Sequence, residues 1–401
     1  MRVPRRLTIF LVLLLPVLAV LMAGMARAWR SGGQADPWSW ALPAALMVAL
    51  MAQLLARDLW RWLVWIAVGA AGAALIFCMI AAGRLPDPLA AVGLLIVALL
   101  GGFGSRALRT PGTRLIGVGL LALAGLLLWR GPAQPIAPMA QRPALAVITA
   151  LPLFWDKAGL ADAPIVTLLR TRFTVQPLDD PRALPKSGAR ALLLAQPRAM
   201  TPDQLVAIDT WVRAGGTALV LADPLLRWPS DLPAGDRRRA PSASLIDPLL
   251  RHWGAVPDAL VEVETRQFLD DGWLVTLSGA QSFKAGGACA AGRGGAIVRC
   301  RVGQGRAVLV GDADLIDDRL WLADPVRPLD PRAWAADTPA LVAQWLGGSI
   351  TGERRWLRDG RDVVLGLRWV LILGIVWAMV GMALFGRTGQ RAGHSDDGNK
   401  P

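Results

Sequence analysis

Apolar residues run almost without charge along four stretches long enough to cross a bilayer: Leu7–Ala26, Trp40–Ala56, Trp62–Ala82 and Leu367–Phe385. Two shorter runs, Leu89–Phe103 and Leu115–Trp129, flank the basic stretch GSRALRTPGTR. They read either as two tilted spans or as one re-entrant hairpin, and in both cases the chain leaves Trp129 on the side where it stood before Leu89. The pattern therefore predicts a membrane region over residues 1–130 with about five transmembrane helices. A further transmembrane helix is predicted over 366–386, followed by a tail over 387–401.

Between these regions the periodicity changes. A proline-rich linker, GPAQPIAPMAQRP (131–143), leads into a segment over 144–350 in which buried strands alternate with amphipathic helices. LAVITAL, TVQPL, ARALLLAQP and TALVLADP read as strands, and DAPIVTLLRTRF as a helix. TPDQLVAIDTWVRAGG reads as a helix with Thr201 as N-cap, Pro202 in the first turn and Gly215 as its stop. Continuous apolar strands separated by helices predict a mostly parallel sheet covered on both faces. SLIDPLLRHWG adds a helix, ALVEVET and WLVTLSG add strands, and AIVRCRV with RAVLVGD form a C-terminal β-hairpin portion through Gly303-Gln304-Gly305. TPALVAQWLGG closes the segment as a helix.

Composition sharpens the picture. With 54% hydrophobic and 18% charged residues, and a mean hydropathy of +0.42, the chain is too apolar for an ordinary water-soluble fold. The net charge of +13 does not point to nucleic acid, because much of the excess flanks the spans, where it sets topology and meets anionic head groups. Arg2, Arg5, Arg6, Arg57, Arg61, Arg106, Arg109, Arg114, Arg387 and Arg391 mark one side of the membrane, against Arg27, Arg30 and Arg84 on the other. The expectation is a multi-pass protein of a bacterial inner membrane with both termini cytoplasmic and the α/β domain extracytoplasmic, in the periplasm. An alternative makes the first run a cleaved signal peptide ending at Ala26-Arg27-Ala28, which leaves the domain on the same side. Trp38, Trp40, Trp60, Trp62, Trp65, Trp129 and Trp369 cluster at span ends as an interfacial belt would. Cys78 reads as a small buried residue; Cys289 and Cys300 are a possible disulfide in an oxidising compartment.

The order of elements, with WVRAGGTALVLADP, SLIDPLLRHWGA and GRAVLVGDADLIDD followed by a helix and a terminal span, resembles the GldG-type auxiliary component of ABC transporters and related membrane-anchored domains. The resemblance spans roughly Ala144 to Phe385 and implies a flavodoxin/amidotransferase-like sheet, similar to class I glutamine amidotransferases but without their chemistry. It implies ABC ATPase and permease subunits as partners. The chain departs from that pattern in placing several spans ahead of the domain.

The residues themselves disfavour catalysis. Covalent chemistry needs a nucleophile on a strand-end turn with a base in reach, yet the strand ends read Leu151-Pro152, Gln196-Pro197 and Asp223-Pro224. His252 sits in LLRHWG at a helix C-terminus, where it suits the helix dipole. No phosphate-binding GxxxxGK[ST] motif occurs, and ionisable residues within the spans are too sparse for an ion-coupled transporter. Asp223, Asp312 and Asp314 gather where ligands bind in open parallel sheets, at the carboxyl ends of strands. They are the candidate ligand-binding residues, set against a plainer reading in which they bond nearby backbone amides. Asp317 and Asp318 read as solvated, and Arg237, Arg238 and Arg239 as an exposed basic loop. The expectation is a non-enzymatic auxiliary subunit of an ABC-type transport or envelope assembly that holds no cofactor or metal. The alternative is a metal-dependent envelope hydrolase or transferase built on the three aspartates.

Overall fold

The computed structural model describes residues 4–30, 32–56, 59–131, 135–156, 159–233, 235–350, 356–357 and 359–391, without the side chains of 386–391. Arg2, Arg57, linker residues 132–134, the Arg387 and Arg391 side chains and tail residues 392–401 lie outside this set. The chain divides into two compact units, residues 1–134 with 354–401, and residues 135–353.

The first unit is helical: α1 (Arg5–Arg30), α2 (Ala41–Leu54), α3 (Trp60–Ala82), α4 (Pro88–Ala107), α5 (Arg114–Arg130) and a C-terminal helix, Gly360–Arg391. Among the described residues six helical segments are long and apolar enough to cross a membrane, five before the second unit and one after it. The two shorter apolar runs gain flanking residues and become helices over Pro88–Ala107 and Pro111–Arg130, each 20 residues long, about 30 Å at 1.5 Å per residue. Small residues let α2 and α4 approach closely. A methyl group on Gly101 would sit 2.8 Å from the Ala45 carbonyl oxygen, and one on Gly102 would strike Val48. The polar interruption Gln53 is satisfied in the same seam, its Nε2 donating to the Ser105 carbonyl and hydroxyl. Trp40 departs from the expected interfacial belt. It is fully buried and its Nε1 donates to Leu21 O at 3.0 Å, because a buried indole N–H needs an acceptor that a neighbouring helix supplies. Trp65 likewise stacks on Trp377 at 3.9 Å, whereas Trp129 remains exposed.

The second unit is α/β. Its elements are β1 (Ala144–Thr149), β2 (Trp155–Asp156), β3 (Gly159–Leu160), α6 (Pro164–Leu169), β4 (Thr174–Pro177), β5 (Ala191–Ala195), α7 (Pro202–Arg213), β6 (Thr217–Leu221), α8 (Asp247–Trp253), β7 (Ala255–Phe268), β8 (Leu274–Ala285), β9 (Cys289–Ala291), β10 (Ile297–Val302), β11 (Gly305–Val310), α9 (Asp318–Trp321) and α10 (Thr338–Trp345). The main sheet has the order β4-β1-β5-β6-β11-β10-β9. The first five of these run parallel, β10 is antiparallel to β11, and β9 is antiparallel to β10. Alternate residues of the strands, among them Ile148, Leu194, Val220 and Leu309, pack on Ile208 and Val212 of α7 and on Leu249 and Leu250 of α8. Thr201 and Gln204 cap α7, with Gln204 Oε1 accepting the Thr201 N–H.

Three local expectations change. DAPIVTLLRTRF is helical only over Pro164–Leu169, since Thr171 turns back onto the Leu168 carbonyl. ALVEVET and WLVTLSG lie in strands β7 and β8, 14 and 12 residues long, but these pair with each other and not with the main sheet. A short β9, absent from the sequence reading, pairs with β10 through Cys289 opposite Cys300, and those two cysteines are disulfide-bonded.

Candidate functional site

The parallel register sets the site. β6 and β11 are neighbours, with Leu221 opposite Val310, so the chain carries Asp223 and Asp312 past the same edge two residues later. Gly311 is what lets β8 cross there: a methyl group on it would collide with the Gln281 carbonyl oxygen, and its own carbonyl accepts the Gln281 N–H at 2.8 Å. That crossing presents the Ser278 N–H to Asp312.

Asp223, Asp312 and Asp314 are brought together with carboxylate oxygens within 4.8 Å of one another. All three are buried, at 0%, 0% and 1% exposure. Asp223 accepts backbone N–H groups from Leu225, Ala313 and Asp314. Asp312 accepts from Ser278 and Leu315, and Asp314 Oδ2 from Arg227. Five of the six carboxylate oxygens thus take a backbone N–H, while Asp314 Oδ1 has no partner. Burial pushes the Asp312 carboxyl well above the usual carboxylate range, and the Asp223 charge adds to it. Asp223 is raised by burial. Asp314 is pushed up to about 7, again by burial first and then by Asp223.

Next along this edge stands Gln196, immediately after β5. Its φ of 42° makes it the non-glycine residue with positive φ among the described residues, the strained strand-end position at which a hydrolase places its nucleophile. Here the side chain is an amide, and it is fully used. Its Nε2 donates to the carbonyls of Asp223 and Pro241 and its Oε1 accepts the Asp223 N–H. Sequence reading noted Gln196-Pro197 only as a strand end without a nucleophile; the clamp between Gln196 and Asp223 joins residues 27 positions apart and leaves no local signal.

The other candidates lie elsewhere. His252 sits in the last turn of α8, its side chain 58% exposed and its Nε2 3.6 Å from Asp209. Asp317, expected to be solvated, is 2% exposed; it caps α9 and pairs with Arg319. Asp318 is half-buried. Arg238 is an exposed ion-pair partner of Asp236, and Arg239 donates to the Leu232 carbonyl.

Comparison with solved structures finds remote likeness alone. The mmIFT52 N-terminal domain is 14% identical, with 53% of this chain and 100% of that chain covered, at a TM-score of 0.37. The exo-β-1,4-mannosidase Op5Man5 from Opitutaceae bacterium strain TAV5 is 14% identical over 50% of this chain and 36% of its own, at 0.28. A β-galactosidase from Bacillus circulans sp. alkalophilus is 13% identical over 50% and 33%, at 0.26. This chain therefore spans well under half the length of the two glycosidases, and scores this low assign neither fold nor chemistry. No curated protein matches the chain. Residues 142–267, which hold β1 through nearly all of β7, match the family model described as ABC-type uncharacterized transport system, and it is through this segment that the chain is similar to the auxiliary components of ABC transporters.

Proposed function

We propose that this protein is a multi-pass component of a bacterial inner membrane. In this reading its α/β unit faces the periplasm and acts as a non-enzymatic, GldG-type auxiliary subunit of an ABC-type transport or envelope assembly, binding a ligand or partner. The family match over residues 142–267 supports the transport assignment. Five membrane-capable helices before the α/β unit and one after it support a domain on the face opposite both termini. The order of the five parallel strands, with the first strand of the chain second from the edge, supports the flavodoxin/amidotransferase-like sheet.

The observation that carries the non-enzymatic reading is Gln196. At the strand end where amidotransferase or hydrolase chemistry needs a thiol or hydroxyl, the chain holds an amide already bonded on both of its polar atoms. The second reading, a metal-dependent hydrolase on Asp223, Asp312 and Asp314, has in its favour the convergence of the three carboxylates and the free Asp314 Oδ1. Against it stand the backbone N–H groups on the other five oxygens and the burial that raises all three carboxyls above the usual carboxylate range. Both features suit a structural joint better than a metal with an open coordination position.

Purification of the full-length protein in mild detergent, followed by mass spectrometry of what accompanies it, tests the assignment. Co-purification of an ABC ATPase with a permease is the expected result. A partner-free protein whose turnover of envelope substrates requires a divalent cation and is lost in Asp312→Asn would transfer the assignment to the hydrolase.

A further inference from the structure

On the sheet face away from α7 and α8, the β9-β10-β11 edge carries a second charged cluster of the opposite sign. Arg299 and Arg301 alternate with inward-facing Val298, Cys300 and Val302 along β10. The register sets Arg301 directly opposite Arg306 of β11. All three guanidiniums are exposed and, together with Gln344 and Trp345 at the end of α10, they line one cavity of about 470 Å³. That is the size range of small-molecule sites, roughly 300–1,000 Å³.

Three features separate this cavity from an ordinary basic surface. Its lining holds no carboxylate. Among the described residues the three arginines have no ion-pair partner, Arg306 Nε donating to Thr217 Oγ1 at 3.3 Å. Like charges set opposite each other across two strands cost stability unless something neutralises them. The third feature is independent of the charges: Trp345, 5% exposed, carries a buried Nε1 with no acceptor. An indole nitrogen can only donate, so this N–H adds to a lining whose charged groups, the three guanidiniums, are all donors.

We infer that this cavity is a binding site for a phosphoryl group carried by a small molecule. A dianionic phosphoryl group, with three acceptor oxygens, matches the charge and donor count better than a carboxylate, and guanidinium forks fit its geometry. The volume leaves room for an organic portion beyond the phosphoryl group. Two sources share this chemistry, a soluble phosphate monoester or anhydride and the phosphomonoester head group of phosphatidic acid. The inference is separate from the transport assignment, since the cavity binds its ligand or fails to whether or not an ATPase accompanies the protein.

The test is calorimetric titration of the full-length protein in neutral detergent, at constant ionic strength. Inorganic pyrophosphate serves as one probe and glycerol 3-phosphate, the water-soluble head group of phosphatidic acid, as the other. Binding of either probe is expected, and which one binds more tightly names the source. Arg301→Gln should weaken it by about tenfold or more, as loss of a charge-assisted pair does. Trp345→Phe should weaken it by about threefold to tenfold, and Arg301→Lys should fall between wild type and Arg301→Gln. Arg299 also borders a neighbouring cavity with Asp270 and Asp271, so Arg301 is the cleaner probe. The inference is overturned if neither anion binds at millimolar concentration, or if binding survives Arg301→Gln and Trp345→Phe unchanged while thermal melts show both variants folded.

Discussion

Strand β11 adjoins two charged clusters that differ in everything except charge density. Past its C-terminal end, Asp223, Asp312 and Asp314 are buried and take backbone N–H groups on five of six oxygens. Along its body, Arg306 joins Arg299 and Arg301 in the open, with no ion-pair partner among the described residues, and Trp345 of the same lining has a buried N–H without an acceptor. The acidic cluster stood out in the sequence, and the basic one did not. The comparison teaches that a concentration of charge marks a binding site only where its hydrogen-bonding capacity is unmet. A charged group already satisfied by the chain's own backbone is a fastening between strands.

The sharpest way to break the comparison is to remove a carboxylate. Asp223→Ala strips the acceptor from the N–H groups of Leu225, Ala313 and Asp314, and should cost about 3–5 kcal/mol in denaturant unfolding. A loss below 1 kcal/mol would show that these groups find water, and that the edge is open to ligand after all. Cys300→Ser opens the Cys289–Cys300 bridge that fastens the basic edge, and should cost about 2 kcal/mol by loop-closure entropy. The check is a melt with and without reductant, to which the variant alone should be indifferent.

pH sharpens the contrast further. The Asp314 carboxyl is raised from 3.8 to about 7 in the folded protein, so folding favours its protonated form. That contribution is fully present below pH 3.8 and is lost progressively as pH rises to 7 and beyond. Asp314→Asn cannot ionise. It should therefore gain about 1–2 kcal/mol over wild type at pH 8 and flatten the stability profile between pH 4 and 8. If magnesium ions stabilise the wild type at pH 8 but not the variant, the cluster is a cation site and the structural reading fails. The smallest effect belongs to the arginines. Arg301→Gln should change stability by less than about 0.5 kcal/mol, although pyrophosphate affinity falls, whereas a large loss of stability would make Arg301 part of the scaffold.

Much of this was legible beforehand, for particular reasons. Buried strands such as Leu192–Leu194 and Leu219–Leu221 announce themselves by continuous apolar character, because a parallel strand covered on both faces has no polar side. Thr201, Pro202, Gly215 and Gly254 announce helix ends, because caps and positive φ are local chemistry. What failed was non-local. β7 and β8 are correct as strands, but nothing in their residues says that they pair only with each other. Asp317 looks solvated until Arg319 and the fold of α9 cover it. Trp40 and Trp65 look interfacial until neighbouring helices take them in.

By itself, the sequence determined four long apolar helices and marked two shorter apolar runs, the alternation of strand and helix that follows them and the approach of two aspartates to one sheet edge, because periodicity, run length and strand-end position are properties of neighbours along the chain. Only the tertiary structure decided which polar groups end with partners. The Gln196–Asp223 clamp, the six backbone N–H groups on the aspartates and the unpartnered Nε1 of Trp345 depend on which distant segments a folded chain brings within hydrogen-bonding distance. That outcome is set by strand register and close approach, to which no single stretch of sequence holds the key.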